Sequence, residues 1–387
     1  MTATAGLAGL AGLAGMAGMA GMAGMAGMAE FTMPAELEAH APPEARGLPR
    51  DGVRMLVSRA ASADVTHHRF TDLPGLLIPG DLLVVNISRT LPAAVPAGPG
   101  LAVHFSTARP DGSWLVELRI PTGKSSIPSG DAAPPPVIAL PGGAELTLDG
   151  RATARLWRAR LSTAVVPYLL RHGEPIRYSY AGQRWPLEAY QTVFGRVPGS
   201  AEMPSAARPF SPAVVTDLVA RGVTFAPITL HCGVSSLEAG EDPYPEQYDV
   251  PPTTARLVAL TKQAGGRVIA VGTTVVRALE TAALETAALE TTALETTARE
   301  TTALGTTVLG ITALAASAGW TSHVISQETG LRVVDGLFTG LHEPRSSHLR
   351  MLAAFHGEDL LRDCYEAALD RAYLWHEFGD VHLLLPG

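Results

Sequence analysis

The sequence predicts an α/β protein: a layered, mostly parallel α/β domain with a smaller antiparallel β-barrel domain inserted into it. Three observations predict it. Strand-like and helix-like segments alternate beyond Pro167, a pattern that lays parallel strands beneath covering helices. Between Pro92 and Leu156 the chain breaks instead into short apolar runs separated by Gly and Pro, as small barrels and sandwiches do. The hydrophobic set is 47% of the residues and charged ones are 17%, so a packed core is feasible and wholesale disorder is excluded.

Residues 1–30 open with Gly-Leu-Ala and Gly-Met-Ala triplets between Gly6 and Met28. A signal peptide needs a positive n-region, which is missing, and a Gly at every third position costs a helix about 1 kcal/mol each relative to Ala. A disordered, dispensable leader is expected. Residues 31–91 read as the N-terminal part of the α/β domain. They hold a Pro- and Glu-rich arm, the apolar run Met55-Leu56-Val57, and the turn Ile78-Pro79-Gly80-Asp81 feeding a strand that ends at Asn86. Residues 92–160 carry the strands of the inserted domain, among them Leu101–Phe105, Trp114–Ile120 and Val137–Leu140.

Residues 161–387 return to the α/β pattern. A helix over 212–221 precedes the strand Thr224–Thr229, and a helix over Thr253–Ala264 ends at Gly265-Gly266 before the buried strand Arg267–Val271. Another helix starts at Thr273, a terminal helix covers Leu360–Tyr373, and Val381–Leu385 reads as the last strand. Residues 281–318 interrupt this order with Glu-Thr-x-x-Leu at period five. Five residues advance about 140° around a helix, so the leucines spiral and form no coiled-coil seam. An expanded surface loop is expected there.

Composition narrows the function. With 29 basic and 37 acidic residues the net charge is −8, which gives no global electrostatic footprint for nucleic acid. An RNA partner needs a local patch, for which Arg151, Arg155, Arg158, Arg160, Arg171 and Arg177 are the candidates. Cys232 and Cys364 are the two cysteines and no C-x-x-C occurs, which argues against a disulfide framework and against cysteine-held zinc or iron–sulfur sites. A cytoplasmic monomer without metal or membrane association is expected. Dinucleotide, P-loop and nucleophile-elbow motifs are all missing. His342-Glu343 and His376-Glu377 begin like H-E-x-x-H, but Ser346 and Asp380 stand where the second histidine belongs, so neither is a zincin motif.

Four segments place polar residues just after apolar strands, where open α/β sheets bind ligands. They are Asn86-Ile87-Ser88-Arg89, His231-Cys232-Gly233, Gly272-Thr273-Thr274 with Arg277, and Asp335 through Thr339 to His342 and Ser346. Around them the chain resembles a known family, the S-adenosylmethionine:tRNA ribosyltransferase-isomerases of queuosine biosynthesis. Pro79-Gly80-Asp81-Leu82-Leu83-Val84-Val85-Asn86 with Ser88-Arg89 resembles that family's "PGDLLVFN-x-TR". Tyr190-Gln191-Thr192-Val193-Phe194 with Pro198-Gly199-Ser200 is similar to its "YQTVY…PGS", and Thr229-Leu230-His231-Cys232-Gly233 to "TLHVG". Gly266 to Glu280 follows the family text almost letter for letter, and a partial match runs from Val334-Asp335 to Phe378-Gly379-Asp380.

The resemblance implies an α/β domain with an inserted β-barrel. It also implies transfer and isomerisation of the ribosyl part of S-adenosylmethionine onto a 7-aminomethyl-7-deazaguanine in tRNA, with release of adenine and methionine. S-Adenosylmethionine enters as a substrate. Such chemistry needs a base beside the sulfonium, help for adenine departure and exclusion of water. Glu246 matches the glutamate of the family's "HSEYxxVP" and is the first candidate base or cation partner. His231 and His342 are candidate proton carriers and Asp335 a candidate to orient one of them or bind a ribose hydroxyl. Gly272, Thr273 and Thr274 offer helix N-terminal amides to an anionic group. Asn86, Ser88, Arg89, Arg277, Thr339 and Ser346 complete the expected binding set, although Arg277 also reads as a structural i, i+3 partner of Glu280.

The resemblance breaks at chosen places. The family's "PTAGLHF" is Pro204-Ser205-Ala206-Ala207-Arg208-Pro209-Phe210, so Pro209 replaces its histidine. The "MH" before the matched glutamate is Pro243-Tyr244, and "TNFHLP" is Thr339-Gly340-Leu341-His342-Glu343-Pro344, which loses an amide and gains a charge. Two alternatives follow from these departures: a divergent enzyme with a changed acceptor, or a non-catalytic S-adenosylmethionine- or RNA-binding module.

Overall fold

The computed structural model describes residues 31–123, 125–130, 133–181, 183–234, 244–300, 314–344 and 346–387. The expected leader, residues 1–30, lies outside the described residues. The chain enters through β1 (Arg54–Arg59), which four residues join to β2 (Asp64–Arg69) as an antiparallel hairpin. A single helical turn, α1 (Leu73–Leu76), leads to the Ile-Pro-Gly-Asp turn. There Asp81 accepts the Ile78 amide at 2.9 Å and pairs with Arg267 at 2.7 Å. This fixes the start of β3 (Leu82–Asn86), buried along its whole length, and β4 (Ser88–Thr90) follows.

A separate antiparallel sheet comes next. It is built from β5 (Ala94–Pro96), β6 (Ala102–Ala108), β7 (Trp114–Pro121), β8 (Ser126–Pro128), β9 (Val137–Leu140), β10 (Ala144–Arg151) and β11 (Leu156–Leu161). Its order is β5-β6-β7-β11-β10-β9, with β8 added on β7. The sheet is barrel-like, with Val103, Phe105, Val116, Leu146 and Leu156 packed inside it.

The chain then returns through α2 (Val165–His172), β12 (Val197–Ser200), which pairs with β4, and α3 (Pro212–Ala220). The remaining elements are β13 (Thr224–Leu230), β14 (Glu246–Val250), α4 (Pro252–Gln263), β15 (Val268–Val271), α5 (Thr273–Glu300), β16 (Ser317–Thr321), β17 (Gly336–Gly340), α6 (Ser347–Asp370) and β18 (Val381–Leu385). They complete a large sheet in the order β16-β14-β13-β3-β15-β17-β18-β1-β2. Alternate side chains of β3 and β15 go to opposite faces, as strand geometry requires. Leu82, Val84, Val268 and Ala270 join the cluster under α4, α5 and α6, while Leu83, Val85, Ile269 and Val271 pack with Phe210 and Phe338 on the other side.

The sheet is mixed rather than mostly parallel. β13, β3, β15 and β17 run parallel, and so do β1 and β18. The pairings β1·β2, β17·β18, β13·β14 and β14·β16 are antiparallel. For β1·β2 the reason is length: four connecting residues cannot make the crossover that a parallel pair needs.

The five-residue repeat also differs from a surface loop. Helix α5 continues through its first twenty residues, and β16 starts at its end; residues 301–313 lie outside the described residues. Ala282 and Ala283 are buried, small enough to let the helix approach the sheet, and Thr281 bonds Thr321 at 2.6 Å.

Candidate active site

Because β13, β3, β15 and β17 are parallel, their C-terminal ends lie along one edge, the place where open sheets bind ligands. The loops leaving β13, β15 and β17 line a cavity of about 460 Å³, within the usual range for small-molecule sites. Its other walls include Tyr178 and Tyr180 together with His376 and Glu377, which precede the last strand.

Glu246 and Arg277 line this cavity. Glu246 opens β14, and Arg277 lies one turn into α5, which puts their side chains together across the sheet edge. Arg277 Nη1 bonds Glu246 Oε2, and the Gly233 amide donates to Glu246 Oε1 at 3.1 Å. Arg277 is further held by its Nη2 donating to the Thr321 carbonyl at 3.1 Å. Burial pushes the Glu246 carboxyl above its usual range, and Arg277 and the Gly233 amide oppose that push. Arg277 is therefore not the helical partner of Glu280. The buried Glu280 carboxylate instead accepts the amides of Arg332, Val333 and Val334 at 2.8, 3.0 and 3.0 Å and ties the chain before β17 to α5.

Gly272 holds φ at +105°, a conformation that suits glycine, and its amide donates to the Phe338 carbonyl at 2.8 Å. Thr273 and Thr274, at the start of α5, line the cavity, and helix geometry gives their amides no carbonyl partner of their own. Thr339 and His342 are also brought in. Thr339 Oγ1 bonds His342 Nε2 at 2.8 Å, and the His342 ring stacks on His348 with centroids 4.4 Å apart. Burial holds His342 well below the usual imidazole value, with His348 adding to the effect.

Ser346 lines the cavity, but its hydroxyl caps α6, accepting the His348 amide at 3.3 Å.

Five expected site residues lie elsewhere. Asp335 is at the N-terminal end of β17, opposite the cavity, where it pairs with Lys262 at 2.5 Å and accepts the Val268 amide at 2.8 Å. It joins α4 to the sheet and does not line the cavity. Asn86 clips two strands together: its Oδ1 accepts the amides of Ser88 and Leu230 at 3.0 Å, and its Nδ2 donates to the Leu230 carbonyl at 2.8 Å. Ser88 Oγ bonds Ser200 Oγ at 2.6 Å and His231 Nδ1 at 2.7 Å, a bracket behind the cavity wall. The His231 ring lies so close to Gly199 that an added Cβ there would meet it at 2.4 Å. His231 thus supports Cys232 and Gly233 without lining the cavity itself. Arg89 is exposed on β4, outside the lining.

Sequence reasoning missed His323, His348, Tyr178, Tyr180, Glu343, His376 and Glu377, all of which line the cavity. A signal was present: both His-Glu dipeptides set aside as incomplete protease motifs converge here.

Comparison with known proteins bears on this geometry. The family described as queuosine biosynthesis protein matches residues 28–384. The chain belongs to that family. A Heliobacterium modesticaldum protein named S-adenosylmethionine:tRNA ribosyltransferase-isomerase is 31% identical over 92% of this chain and 98% of its own. An Anaeromyxobacter protein of the same name is 33% identical over 92% of this chain and 97% of its own. A solved Thermotoga maritima structure titled S-adenosylmethionine tRNA ribosyltransferase aligns at 26% identity with a TM-score of 0.49, covering 92% of this chain and 100% of that one. The queuosine family match spans the cavity and every element that lines it. Among the described residues no helix is long and apolar enough to cross a membrane.

Proposed function

We propose that this protein transfers and isomerises the ribosyl moiety of S-adenosylmethionine onto a 7-aminomethyl-7-deazaguanine base in tRNA, forming epoxyqueuosine and releasing adenine and methionine. The observation that carries the reading is the buried Glu246–Arg277 pair, set beside the free amides of α5 in a cavity of about 460 Å³. A carboxylate and a guanidinium side by side complement the zwitterionic amino-acid end of S-adenosylmethionine. The α5 amides suit its carboxylate, because a helix N-terminus carries partial positive charge. Glu246 stands as the base for the acidic proton beside the sulfonium, a role that suits a carboxylate raised by burial. His342, fixed by Thr339, is a candidate to hydrogen-bond the departing adenine.

The match of relatives across nearly the full chain favours this reading over a changed acceptor or a binding module. The test is E246Q in single turnover on RNA carrying the 7-aminomethyl base, with product mass as the readout. Turnover at saturating S-adenosylmethionine should fall by at least about a hundredfold, beyond any loss of affinity for it. An E246Q protein that turns over at the wild-type rate would remove Glu246 from the chemistry.

A further inference from the structure

The end of the cavity away from Arg277 carries negative charge without a matching cation. Glu343, in the loop after β17, and Glu377, before β18, both line it. Burial raises both carboxyls above their usual range. Among the described residues no Lys or Arg pairs with either one, and the neighbouring Arg208 is already committed to Glu44 at 2.9 Å. Between them lies His376, whose side chain is 7% exposed. Its Nδ1 is 3.8 Å from Glu343 and its Nε2 is 4.0 Å from Glu38, beyond hydrogen-bonding distance, so the buried Nε2 has no partner. The ring stacks flat on Tyr180, with centroids 3.7 Å apart and planes within 5°. Its backbone adopts φ +72°, a conformation that L residues rarely take.

Glu343 is exposed and Glu377 half-buried with its carboxylate hydrogen-bonded to Tyr180; carboxylates that line a cavity with no protein cation beside them suit a ligand that supplies the charge. Position 343 is also where this chain departs from its family by gaining a charge. Pro209, where the family has histidine, borders the same corner together with Arg208, His376 and Glu377. We propose that this end binds the protonated aminomethyl group of the acceptor base, with Glu343 and Glu377 as counter-charges and the Tyr180–His376 stack as the surface against which the base lies. The proposal rests on the ribosyl-transfer reading above. The ammonium of S-adenosylmethionine is the other possible occupant, but it sits on the same carbon as its carboxylate and is matched by the Glu246–Arg277 end.

The test measures binding by the full-length protein of S-adenosylmethionine and of two anticodon stem-loop RNAs. One carries 7-aminomethyl-7-deazaguanine and the other its uncharged 7-cyano counterpart. Wild-type protein should prefer the aminomethyl RNA by about tenfold or more. The E343Q/E377Q double variant should lose that preference and keep its affinity for S-adenosylmethionine. E343L, which restores the family residue, and E377Q alone should each weaken the preference in a protein of unchanged melting temperature. A preference retained in the double variant overturns the proposal. So does a parallel loss of S-adenosylmethionine affinity, which would assign the carboxylates to that substrate. If wild-type protein binds neither RNA, the ribosyl-transfer reading itself fails.

Discussion

Glu246 and Arg277 show how one residue pair sets both stability and chemistry. Removing the guanidinium leaves a buried carboxylate uncompensated, a change that costs about 3–5 kcal/mol. R277M and E246Q each leave one buried charge without its partner, so each should lower the melting temperature sharply, and the double variant by less than the sum of the two. Additive losses would contradict a charge-compensation role. His382 sets the acid limit. It is fully buried, with Nε2 bonded to Ser58 Oγ at 2.7 Å, and burial holds it at about 3 against an unfolded value near 6.5. His104, buried beside Arg119, is likewise held at about 3. Below pH 6.5 the unfolded chain binds protons that the folded chain refuses, so stability is full above 6.5 and declines as pH falls toward 3. Urea midpoints measured from pH 7 to 4.5 should fall, and more gently in H382Q; identical slopes would exclude His382. At this scale the sequence told little about roles. Asp335 and Asn86 carry motif positions, yet their side chains are spent on backbone amides, a use that residue type cannot reveal.

Elements were more legible than residue roles. The buried strand before Gly272, the helix after it and the Gly265-Gly266 stop follow directly from apolar runs and turn residues. The direction of strand pairing did not, because β14, β16 and β18 reach the sheet through long-range contacts with no local signature. The repeat after Glu280 misled for a related reason. Its leucines form no stripe, but its buried alanines and threonines let α5 pack against the sheet without one. Gly272 is the hinge of the cavity-facing helix end. G272A forces a side chain into φ +105° and should cost about 1 kcal/mol or more of stability. It should also raise the KM for S-adenosylmethionine by shifting the α5 amides. A raised KM with unchanged stability would separate the two effects, while an unchanged KM would remove the helix terminus from the site.

On the scale of the molecule, the acidic chain must still hold RNA, and the arginine patch is smaller than the sequence implied. Arg155 is buried against Glu117 at 3.1 Å, and Arg158 and Arg160 share Asp111 and Asp149 within 3.2–3.6 Å. Charges already matched by carboxylates add little to phosphate binding, whose affinity tracks the number of phosphates neutralised. Reversing Arg171 and Arg177 should weaken RNA binding and flatten its salt dependence. Unchanged affinity would place the RNA face elsewhere. The central claim of ribosyl transfer is tested most directly by adenine release from S-adenosylmethionine, followed with and without RNA carrying 7-aminomethyl-7-deazaguanine. Adenine should appear only when that RNA is present, one equivalent for each base modified. S-Adenosylmethionine that binds yet yields no adenine with that RNA would contradict the account.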